Sequence, residues 1–161
     1  MKITQEVFIK MVLDAWYTQI NRTDDLVNSL PDEKLQQRVA LGKNNGVYLL
    51  GHLAAVHDKM QPLLALGETL HPEWYELFVT QPYNPAAKVP AISEIKRYWK
   101  KINAALAEKF AAMSSAQWFE KHNAVSAEDF IAEPHRNKLN VIINRTNHLE
   151  YHRGQLILLK D

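Results

Sequence analysis

The sequence contains no cysteine, which excludes a thiol nucleophile, a structural disulfide and every cysteine-ligated zinc site in one step. Any metal would have to be held by histidine, aspartate or glutamate. Glycine is scarce, at five residues in 161, and no segment sustains period-two alternation of apolar and polar side chains, so strands and tight hairpins are not expected. Charge of either sign is not in excess, with 19 Lys and Arg against 18 Asp and Glu. The densest basic stretch, Lys96-Arg97 with Lys100-Lys101, sits in one amphipathic segment and reads as a solvated helix face, so no nucleic-acid partner is expected. Long apolar runs are missing too. The N-terminal stretch MKITQEVFIKMVLDAWY carries charges through its apolar positions and has no small-residue cleavage site, so neither a signal peptide nor a membrane partner is expected and a cytoplasmic location is.

What is present is ordinary for a globular chain: 47% apolar and 23% charged residues, in a length that suits a single domain over residues 1–161. Apolar residues recur at three- and four-residue spacing almost throughout, which predicts an all-α fold, a four-helix bundle with short auxiliary helices. The first long helix is expected from Thr4 to about Asn28, and Ser29 with Pro31 suggests a capped short turn after it. Asn45 caps a second helix reaching toward Leu66, with Pro62 bending or ending it early. Four prolines between His71 and Pro90 predict an irregular excursion with one helical turn near Glu73 to Phe78. A third long helix follows from about Pro90 to Met113. Ser114 and Ser126 open short helices by capping-box spacing, and Asn137 starts the last long helix, from Lys138 to about Leu159.

The stretch HLEYHRGQ, His148 to Gln155, carries the clearest chemical signal. A helix turns about 100° per residue, so His148 and His152 lie about 40° apart on one face, one turn apart in height, and can share a ligand. The stretch resembles the HExxH box of zinc peptidases, yet Glu150 is displaced by about 180° from the mean direction of the histidines and cannot reach a metal between them. A peptidase is excluded on that geometry. A di-iron carboxylate site, built on Glu-x-x-His from each of two helices, is excluded because the sequence does not carry that pair on its long helices.

His52, between Leu49, Leu53 and Val56, is the best candidate for a third ligand, since a bare imidazole there is costly without a partner. His57, about 140° further round the same helix, is expected to face solvent or the bundle edge. On the last helix Asn144, His148, His152 and Gln155 form a polar row in an otherwise apolar segment. Three imidazoles would leave a coordination position open, the arrangement of a catalytic site. At this point two readings stand: a three-histidine metal site, or satisfied polar groups in or near the core. His71, His122 and His135 fall in or beside loops and are expected at the surface.

Taken together, Gly51-His52-Leu53 and Asn147-His148-Leu149-Glu150-Tyr151-His152-Arg153-Gly154-Gln155-Leu156, with the helix order over essentially the whole chain, resemble the damage-inducible DinB-like proteins and their YfiT-type and thiol-dependent transferase relatives. The resemblance implies a DinB/YfiT-like bundle, a homodimer, and a divalent metal ion, nickel or zinc, held by His52, His148 and His152. It further implies a small-molecule substrate and, in some relatives, a low-molecular-weight thiol activated by the metal for transfer. A stress-response bundle that binds metal without catalysis is the alternative. Tyr48, Asn144 and Gln155 are candidates to orient a ligand or substrate from behind the metal. Arg153 is assigned to the helix end or a neighbouring subunit, and Gly154 to close helix approach.

Overall fold

Capping side chains set most of the helix starts. The computed structural model describes residues 4–160, and Thr4 opens α1, Gln5–Ser29, by accepting the Val7 amide. A side-chain oxygen at this position serves an amide that has no partner inside the helix. α1 buries Ile9, Trp16, Ile20, Leu26 and Val27. The short turn α2, Asp32–Leu35, has Pro31 at its cap position. Ser29 does not cap it, because its hydroxyl turns back to donate to the Leu26 carbonyl at 2.8 Å.

Asn45 accepts the Tyr48 amide at 2.8 Å and starts α3, Gly46–Asp58. The second helix is shorter than its apolar spacing predicts. Proline at position 62 has no N–H to offer the Asp58 carbonyl, and the chain breaks there into a separate turn, α4, Met60–Leu63. The proline-rich excursion holds α5, Pro72–Tyr75, which runs on as a π-helical turn over Glu76–Thr80. α6 spans Ile92–Ala112. The short helices α7, Ser115–Trp118, and α8, Ala127–Ala132, are capped by Ser114 and Ser126. Asn137 caps α9, Lys138–Leu156, which tightens into a 3-10 turn over Ile157–Leu159.

The described residues contain no strand, and the fold is all-α. α1 packs along α9, while α3 lies against α6, α9 and the α5 segment. That central place explains why α3 is buried on nearly every face. The core holds Trp16, Leu53, Phe78, Trp99 and Leu149, each fully enclosed. Among the described residues no helix is long and apolar enough to cross a membrane.

Candidate metal centre

α3 and α9 bring His52, His148 and His152 together, with one nitrogen from each within 4.8 Å of the others. His148 Nε2 lies 3.1 Å from His52 Nε2 and 3.2 Å from His152 Nε2. All three side chains are half-buried. Residues four apart on α9 project together by helix geometry, and His52 meets them from the facing helix.

The far side of each ring decides what the near side offers. His52 Nδ1 is 2.9 Å from the Phe78 carbonyl, which can only accept, so Nδ1 carries the hydrogen and donates it. A neutral His52 therefore presents a lone pair at Nε2. Phe78 is available because it lies in the last turn of its helical segment, where carbonyls lack an intrahelical partner. His152 Nδ1–H likewise donates to Gln155 Oε1 at 2.8 Å, which leaves its Nε2 bare as well. His148 stands between the two. If its Nε2 carries hydrogen, it can serve only one neighbour; if not, three lone pairs meet.

Protonation does not relieve this crowding at neutral pH. Burial lowers the pKa of His52 and His152 from their ordinary values, and pushes His148 down to about 4, with His152, His52 and Arg145 adding to the effect. Three neutral imidazoles whose nitrogens converge could hold a cation. A tetrahedral ion at the usual zinc to nitrogen distance sets its ligand nitrogens about 3.3 Å apart, and the two close contacts lie near that spacing. Three uncharged donors fit a divalent ion with a coordination position left over.

The other candidates are placed as follows. Gln155 orients His152 directly. Tyr48 lies beside His52, ring centroids 6.4 Å apart at 14°, but its hydroxyl donates to the Gln81 carbonyl at 2.9 Å. Asn144 is exposed. The inward position one turn before His148 belongs instead to Arg145, half-buried and electrostatically coupled to His52 and His148. The signal for it was the seven-residue step from Arg145 to His152, which returns to within about 20° of the same direction. Glu150 points away from the cluster and pairs with Arg153, whose Nε donates to Glu150 Oε2 at 2.9 Å. A side chain at Gly154 would meet nothing within 4 Å, so close helix approach does not explain that glycine.

His57 overturns the expectation that it faces outward. It is fully enclosed, its ring between Trp16 and Trp99 at 4.8 and 4.9 Å, and its Nδ1–H donates to Asn103 Oδ1 at 2.8 Å. The rotation of about 140° does turn it away from His52, but α6 covers that side of α3 too. His135 is exposed as expected, His122 is half-buried, and His71 is half-buried with its ring against Tyr98 at 4.7 Å.

The class is thus an all-α protein in which two packed helices bring together three imidazoles that could hold a metal ion. The chain belongs to the DinB superfamily, whose family model matches residues 15–156, a span that includes all three histidines. No curated protein is significantly similar to it.

Proposed function

We propose that His52, His148 and His152 hold one divalent metal ion, zinc or nickel, through Nε2, and that the protein is a metal-dependent enzyme using the open position of that site. The observation that carries this reading is the pair of outward hydrogen bonds, to Phe78 and Gln155, that turn two bare Nε2 atoms toward a third. An ion held there would supply Lewis acidity, favouring the thiolate form of a small thiol or the ionisation of a water at neutral pH. The chain's own part is to bind and orient. Phe78 and Gln155 fix two ring tautomers. With no cysteine of its own, the protein would draw sulfur from a low-molecular-weight thiol, which supports a transferase that joins such a thiol to an electrophile.

Family membership supports a homodimer as well. Phe8 and Met11 of α1 and Ile143 of α9 are exposed apolar side chains lining one open groove, and we take that face for the contact. A particle of monomer mass in sedimentation equilibrium would remove the dimer from this reading.

Elemental analysis of untagged protein tests the metal site, with about one ion per chain expected. His148→Ala should lower the content to roughly a tenth or less, given that losing a group that merely orients a ligand costs about 10- to 100-fold in affinity. Unchanged metal content in that variant would sink the three-histidine assignment. The enzymatic part is checked by assaying metal-loaded protein with bacillithiol, mycothiol and glutathione against electrophiles. Neither turnover nor thiol binding in that assay would leave only a metal-binding bundle.

A further inference from the structure

Arg145 lies one turn before His148 on α9 and, by its seven-residue offset, on the same face as His152. Its Nε is enclosed without a hydrogen-bond partner, and among the described residues the side chain makes no ion pair. A guanidinium taken partly out of water is normally matched by an anion, because an unpaired charge there keeps its desolvation cost uncompensated. The group that acts on it favourably is Tyr75, a phenol and not a carboxylate. Arg145 stands near enough to His52, His57 and His148 to act on them electrostatically. With a divalent ion on three neutral imidazoles, the proposed metal site and Arg145 together would carry three positive charges and no acidic ligand.

We propose that Arg145 is the anion-binding residue of this site, gripping a carboxylate on the small-molecule substrate while another group of that molecule faces the three histidines. The inference rests on the metal reading above and narrows its substrate to carboxylate-bearing molecules. A planar guanidinium matches the two oxygens of a carboxylate with two parallel N–H donors, which an ammonium cannot do. A single fork also suits a monoanion better than a phosphate with three oxygens to satisfy.

The test uses whole protein loaded with cobalt(II), whose visible spectrum reports its ligands, titrated with acetate and separately with neutral imidazole. Acetate should perturb the wild-type spectrum at concentrations about tenfold or more below those needed for Arg145→Met, as expected for loss of one charge-assisted pair. Arg145→Lys, which keeps the charge but loses the fork, should fall between. Imidazole should act at the same concentration on all three proteins, and their cobalt content should be equal. Equal acetate midpoints, no acetate response in the wild type, or imidazole midpoints that move in parallel with acetate would each overturn the proposal. If Arg145→Met does not fold, the Arg145→Lys comparison decides alone. Wild-type protein that takes up no cobalt would sink the metal reading itself, whereas cobalt uptake without acetate discrimination sinks only the role of Arg145.

Discussion

Burial pushes the pKa of His57 down to about 3 from 6.5, against the smaller opposing effect of its bond to Asn103. The sign of the resulting pH dependence follows from proton counting. Below pH 6.5 the unfolded chain takes up a proton at this residue while the folded one stays neutral, so acid favours unfolding until the folded pKa is reached. Each pH unit within that window removes about 1.4 kcal/mol. In metal-free protein, the stability advantage of wild type over His57→Gln should therefore shrink by about that amount per unit between pH 6.5 and 4.5, measured by urea unfolding. An advantage that stays constant would mean that folded His57 protonates freely. Nothing in the residue's own neighbourhood in sequence announces this. The five-residue step places it opposite His52, and only the packing of α6 over that side tells enclosure from exposure.

Gly51 belongs to the scale of elements, because its lack of a side chain lets the α5 segment settle on α3. A Cβ at that position would come within 2.6 to 2.7 Å of the Phe78 ring, and Phe78 is itself fully buried. Gly51→Ala gains roughly 1 kcal/mol of helix propensity but forces overpacking that costs about 1–3 kcal/mol. A net loss of stability is expected, seen as a lower urea midpoint. The clash also displaces the carbonyl that holds His52 Nδ1, so metal affinity should fall about tenfold, as it does when orienting partners are lost. Adding Phe78→Leu should restore part of the stability, and failure to do so would point to some other contact of Gly51. Elements of this kind divide into those that can be read from sequence and those that cannot. Asn45, Ser114, Ser126 and Asn137 each cap the helix they were expected to open, because capping is a local match of one side chain to one amide. The anchor at Phe78 links residues 26 positions apart through a proline-rich segment with no helical period to follow. The histidine row on α9 is legible by spacing, yet spacing alone gives Asn144 as its lower end, and the choice between that residue and Arg145 depends on how α9 is rotated against α1 and α3.

At the scale of the whole molecule, the proposed site joins groups that only the complete fold brings together, since His52 and His148 are 96 residues apart. The unfolded chain retains only the local pair on α9, so an ion requiring all three donors binds the folded state far better and stabilises it by mass action. At a free ion concentration about 100 times the dissociation constant, the gain is about 2.7 kcal/mol. For a chain of this length each kcal/mol moves the melting temperature by about 2–4 °C, which gives an expected rise of about 5–10 °C on loading with zinc or nickel and an equal fall on chelation. The shift should be nearly absent in His152→Ala, where one of the three lone pairs is gone. It should persist in His135→Ala, where the histidine removed is exposed and outside the cluster. Calorimetry on the three proteins separates the possibilities: an equal shift in all of them would mean that the ion acts through groups other than this cluster, while no shift in wild type would mean that the lone pairs of α3 and α9 are reconciled without a metal.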